Sequence, residues 1–117
     1  MSVSPGELNL TLSQGATWTV SLTYNDGEGN PVDLTDYTAR MQARESYTAA
    51  TTVLDIDSSD GITLGGTAGS IQINVNATTT AAIGAAQYVY DMELVSNSGE
   101  VTRLIEGTLV VTPEVTR

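Results

Sequence analysis

The stretch Gln87–Thr116, QYVYDMELVSNSGEVTRLIEGTLVVTPEVT, decides the fold class. It reads as two strands, Gln87–Val95 and Glu100–Thr112, folded back around Asn97-Ser98-Gly99. That is a three-residue hairpin loop with glycine available at the left-handed position. Tyr88 and Tyr90 alternate with Val89, so they are expected to pack on one sheet face, while Asp91 and Glu93 share the other. In this register Glu93 falls opposite Arg103, a cross-strand ion pair of about 0.2–1 kcal/mol if exposed. The apolar phase shifts at Gly107, between Ile105 and Leu109-Val110-Val111, which predicts a β-bulge there.

The same period of two recurs through the rest of the chain. Leu8, Leu10 and Leu12 point one way and Asn9 and Thr11 the other, and the Gln14-Gly15 step ends the strand. Trp18, Val20, Leu22 and Tyr24 alternate with Thr17, Thr19, Ser21 and Thr23, with Trp18 as a core anchor. A turn at 25–31 uses Gly27 and Gly29 for positive φ and Pro31 to remove a ladder donor. Tyr37, Ala39, Met41 and Ala43 alternate with Thr38, Arg40, Gln42 and Arg44. A polar loop at 45–51 precedes a strand at 52–57, an acidic turn at 58–61, a short strand at 62–64, a glycine-rich bend at 65–69 and a strand carrying Ile71, Ile73 and Val75. The one candidate helix lies near 78–84, with Thr78 or Thr79 as N-cap and Gly84 as stop. Seven or eight short strands separated by frequent turns predict an all-β protein, an antiparallel two-sheet sandwich of immunoglobulin-like architecture occupying residues 1–117 as a single domain.

Composition supports this reading and narrows the partners. A chain of 117 residues can bury one ordinary core, and with no Cys it does so without disulfides or thiolate metal sites. Thr, Val, Leu, Ile and Ala dominate, and stiff β-branched side chains favour strands. Fourteen acidic residues face four arginines, with no Lys or His, for a net charge of −10. That balance repels phosphate backbones and anionic lipid, so neither nucleic acid nor membrane is an expected partner. No segment approaches a membrane span, and the N-terminus has no basic start followed by an apolar run, so no export signal is expected.

Few residues point to chemistry. Without His or Cys, acid–base work could use carboxylates alone, and no nucleophile–His triad can form. Asp91 and Glu93 share a face, as a glycosidase pair could, yet the spacing arises in any acidic strand and no aromatic-lined cleft accompanies it. No enzyme activity and no cofactor are expected. Asp26, Glu28, Asn30 and Asp33 resemble the first half of a calcium loop, but the twelfth position holds Tyr37 where such a loop has a bidentate Glu. Asp55, Asp57 and Asp60 form a second acidic turn. Turn formation accounts for both, so no metal site is assigned.

Five blocks then suggest a family: LTLSQGAT (10–17), GNPVDLTDYTARMQ (29–42), GITL (61–64), YVYDMEL (88–94) and RLIEG (103–107). Together they resemble small structural proteins of tailed bacteriophages, especially the N-terminal domain of phage baseplate upper proteins and its stand-alone relatives. The resemblance spans nearly the whole chain, and its most distinctive parts are GNPVDLT and YDMEL. It implies an immunoglobulin-like sandwich without enzymatic activity, assembled in the host cytoplasm into the virion as a homo-oligomer contacting other virion proteins. This chain shows no coiled coil, collagen-like repeat or receptor-binding module, which shifts the expectation from host recognition towards an accessory or adaptor of the tail, neck or baseplate. The alternatives are a decoration protein on the capsid lattice and a glycan- or calcium-binding adhesion module.

For an interface, two features stand out. Arg40 and Arg44 project from one strand face of a strongly acidic molecule and are expected to meet an acidic partner or to pair with local carboxylates such as Glu93. The strand Leu8, Leu10, Leu12 offers an edge that another strand could extend.

Overall fold

Alternating burial organises the computed structural model, which describes residues 6–116. Among these residues nine strands form: β1 (Gly6–Glu7), β2 (Leu10–Ser13), β3 (Trp18–Thr23), β4 (Thr38–Arg44), β5 (Leu54–Asp57), β6 (Ile62–Leu64), β7 (Ser70–Val75), β8 (Ala86–Val95) and β9 (Val101–Thr112). One short helix, α1 (Ala77–Ala81), lies between β7 and β8, and a single 3-10 turn covers Gly66–Ala68. Along β8, Tyr88, Tyr90, Met92 and Leu94 are buried and their neighbours partly exposed, which is the pattern of a strand with one face against a core.

The larger sheet runs β1/β2–β9–β8–β4–β5 and the smaller β3–β7–β6. Their inner faces meet on Met41, Met92, Leu94 and Leu109 from one side and Ile71 and Ile73 from the other, with Leu34 and Ile83 contributed by connections. Trp18 is buried as expected, and its indole N–H donates to the Thr11 carbonyl at 3.0 Å. The architecture is therefore an all-β sandwich. In immunoglobulin terms β3, β7 and β6 stand as strands B, E and D, and β5, β4, β8 and β9 as C′, C, F and G. An immunoglobulin feature that the sequence reading missed lies at the start of β8. The Tyr88 hydroxyl donates to the carbonyl of Gly84 at 2.6 Å, in the corner between the strands equivalent to E and F.

Pairing departs from the expected all-antiparallel pattern where the first strands meet the last. β1 and β2 run parallel to β9, with Leu12 opposite Val111. The N-terminal strand expected over Leu8–Leu12 is also split. The Leu8 N–H donates to Glu106, the Asn9 side chain accepts from the Thr108 N–H at 3.1 Å, and the Tyr90 hydroxyl donates to the Leu8 carbonyl. A side chain and a tyrosine thus replace ladder bonds at the break.

The β-bulge lies elsewhere than expected. Met92 pairs with Ile105 and Glu93 with Arg103, so Leu104 is the extra residue, and Gly107 keeps regular register opposite Tyr90. Gly107 instead meets a steric demand: a Cβ there would stand 2.5 Å from the Leu8 carbonyl oxygen. The hairpin loop is as read, with Ser96 donating to Glu100 and Gly99 at φ 91°. In the 25–31 turn only Gly29 has positive φ. The helix N-cap is Asn76, two or three residues earlier than the expected threonines, and its side chain accepts from the Thr79 N–H at 2.8 Å. Thr80 is the buried polar residue of α1, and its hydroxyl donates to Ala16, tying the helix to the β2–β3 turn.

Candidate interaction surface

The outer face of the larger sheet gathers most of the charged strand residues. Register places Asp57, Arg40, Glu93 and Arg103 in one row across β5, β4, β8 and β9, and Asp55, Gln42, Asp91 and Glu106 in the next. Strand alternation alone sends these side chains outward, because their neighbours Met41, Met92 and Leu94 face the core. The result is an open lattice of both signs rather than a cleft. A depression of about 290 Å³ lined by Arg40, Gln42, Asp91 and Glu93 lies in it, beside one of about 120 Å³ reaching Arg44, Tyr47 and Tyr90.

Arg40 and Arg44, singled out from sequence, have different roles in this lattice. The Arg40 Nε lies 2.7 Å from a Glu93 oxygen, a pair of two partly exposed side chains that contributes at most about 1 kcal/mol. Glu93 thus takes Arg40, from the neighbouring strand β4, as its partner, where the hairpin register suggested Arg103. Arg103 reaches Asp91 at 3.6 Å and Glu106 at 3.5 Å. Arg44 turns along its own strand, donating to the Ala49 carbonyl at 2.8 Å and to Gln42 at 3.0 Å, so it fastens the β4–β5 loop. Tyr47, on that loop, is 79% exposed.

Asp91 sits in the middle of the lattice. Burial raises its pKa above the ordinary carboxylate value, Arg103 opposes the shift, and the neighbouring carboxylates Glu93 and Glu106 add to it. The two carboxylates that share a face, Asp91 and Glu93, are each engaged by a different arginine.

Leu8, Leu10 and Leu12 are placed differently from a contact surface. Leu10 and Leu12 are buried in the core and Leu8 packs partly against it, so this sheet margin offers backbone to a partner and not leucine side chains.

The acidic turns fold onto themselves. Asp26 accepts from the backbone N–H groups of Glu28 at 2.9 Å and Asn30 at 3.0 Å. Asp33 accepts from both the N–H and the hydroxyl of Thr35, and these bonds hold its pKa below the usual range. Asp57 accepts from Ser59 and Asp60. Each carboxylate therefore closes a turn, as Asp commonly does. Among the described residues no three His, Cys, Asp or Glu side chains converge in a way that could hold a metal ion. Nor, among them, is any helix long and apolar enough to cross a membrane.

No protein-family model matches this chain, and no curated protein matches it either.

Proposed function

We propose that this chain is a non-enzymatic structural protein of a tailed-phage virion, an accessory or adaptor module that docks on tail, neck or baseplate components. The observation that carries the reading is the pair of blocks behind the family resemblance. GNPVDLT crosses between the two sheets, with Leu34 buried and Asp33 closing the turn on Thr35, and YDMEL lies within β8, the strand between β4 and β9. Both blocks thus have positions that set the sandwich. The surface is compatible with the reading, since an open charged sheet face and free strand margins suit protein partners better than a small substrate.

Within this reading Arg40 meets an acidic surface of a neighbouring virion protein, exchanging its Glu93 partner on docking. Arg40→Glu is expected to lower incorporation into particles while leaving the fold intact. Unchanged incorporation would remove Arg40 from the interface.

Copy number in purified virions, measured by quantitative mass spectrometry against the major coat protein, tests the proposal. Roughly three to a few dozen copies fit a tail, neck or baseplate adaptor built on cyclic symmetry. A ratio near one copy per coat subunit, or per three, replaces that placement with capsid decoration. Absence from particles overturns the virion role.

A further inference from the structure

The eighteen charged residues of this chain are segregated: none lies between Asn9 and Asn25, and none between Gly61 and Tyr90. Those two stretches contain all three strands of the smaller sheet. In a molecule of net charge −10, that sheet is the part that another copy can approach without placing like charges strand against strand.

One margin of it is also built for pairing. β3 is six residues long, keeps unbroken register with β7, and among the described residues is paired on one side only. Antiparallel ladders alternate between residues that bond to the neighbour and residues that turn their N–H and C=O away. The Tyr24 N–H bonds across to Gly69 at 2.8 Å, which makes Tyr24, Leu22, Val20 and Trp18 the residues bonding to β7. Thr19, Ser21 and Thr23 therefore direct their backbone groups to the free margin. None of the usual guards of an edge is present: no charge, no Pro and no bulge interrupts Trp18–Thr23. The inward-facing Val20 and Leu22 remain partly exposed beside this margin, whereas Ile71 and Ile73 on the central strand are fully covered. The other margins are shorter, and β5 carries Asp55 and Asp57.

We propose that two copies of this chain pair antiparallel through β3, about a two-fold axis at Ser21, to join their smaller sheets into one continuous six-stranded sheet. Only groups facing the margin can bond to each other, so the register must match odd positions with odd. Centring on Ser21 sets Ser21 against Ser21 and Thr19 against Thr23, which satisfies every outward group of the strand. The same register lays Val20 beside Leu22 of the second copy on the inner side, covering both, and Thr beside Thr on the outer side. This pairing is a property of the isolated chain and does not rest on the virion reading.

The absence of cysteine makes the test direct. In Ser21→Cys the two thiols would face each other across a bonded pair, where Cα atoms lie about 5.5 Å apart, within disulfide range. Mild oxidation of the full-length variant is expected to give a covalent dimer, while Thr63→Cys, on the exposed face of β6, stays uncrosslinked. Sedimentation equilibrium of the native chain is expected to show twice the chain mass. Ser21→Asp, which puts two carboxylates on the axis, should weaken association at least tenfold with an unchanged circular dichroism spectrum, and Thr63→Asp should not. A chain that stays monomeric from micromolar to millimolar concentration, a dimer indifferent to Ser21→Asp, or crosslinking through Thr63→Cys and not Ser21→Cys would each overturn the proposal.

Discussion

The Tyr88 hydroxyl donates a 2.6 Å hydrogen bond to the carbonyl of Gly84, four residues earlier in the chain. The ring is buried while its hydroxyl fixes the corner that carries the chain from α1 into β8, so one residue joins core packing to the connection between the two sheets. Tyr88→Phe keeps the ring and removes the bond. The expected cost is about 1–2 kcal/mol, with a melting temperature lower by a few degrees, because a carbonyl in a partly buried corner loses its donor. Urea unfolding of the two proteins measures it, and an unchanged midpoint would show that the corner is held by packing alone.

Gly107 gives a second prediction. Its Cα faces the break between β1 and β2, and an added methyl would press on the Leu8 carbonyl at 2.5 Å and the Asn9 side chain at 2.9 Å. Gly107→Ala is expected to destabilise by about 1–3 kcal/mol, the usual cost of overpacking a closed contact. Hydrogen exchange should then rise at the Leu8 and Thr108 amides, whose bonds cross this junction. Gly27→Ala is the control: nothing lies within 4 Å of its Cβ position and its φ is not positive, so stability should hold or rise slightly.

Tyr90 ties the same junction from the other side by donating to the Leu8 carbonyl, and burial lifts its pKa from 10.0 to about 12. A group whose folded pKa is raised contributes stability in full below its unfolded pKa and loses it as pH climbs through the folded value. Alkaline unfolding should therefore contain a loss of stability between pH 10 and about 12 that is missing in Tyr90→Phe. At neutral pH the Phe variant is expected to be less stable by about 1–3 kcal/mol, since it leaves the Leu8 carbonyl without this donor.

Strand positions were legible because alternation writes them directly: Trp18–Thr23, Thr38–Arg44 and the terminal hairpin stand where the apolar period of two puts them. What alternation does not encode is the third dimension. The phase shift in β9 was visible, but its cause, the extra residue Leu104, could not be told from Gly107, which is needed for the approach of Leu8 from another strand. Glu93 had a legible cross-strand neighbour in Arg103, yet β4 on its other side supplied Arg40 at closer range. The parallel pairing of β2 with β9 joins residues about a hundred positions apart, which no local pattern specifies. The outward lattice on the larger sheet follows from strand facing, but the order of strands that assembles it does not.

Asp91, at the centre of that lattice, carries the last prediction. Burial outweighs the attraction of Arg103 and leaves its carboxyl raised above the ordinary value of 3.8, with Glu93 and Glu106 adding repulsion. A carboxyl raised in the folded state is penalised when ionised: the penalty is absent below the unfolded pKa, where both states hold the proton, and complete above the folded one. The native chain thus loses part of its stability as pH rises through that window. Asp91→Asn keeps the shape and removes the charge, so it is expected to melt higher than the native chain at neutral pH, the difference fading towards about pH 3, where the native carboxyl is itself protonated. Arg103 keeps Glu106 as a partner in the variant, which limits the loss on that side. Thermal melts of both proteins across the acid-to-neutral range decide the matter. An Asn variant that melts lower at neutral pH would mean that the Asp91–Arg103 attraction prevails over burial, and that the lattice holds the sheet together instead of straining against it.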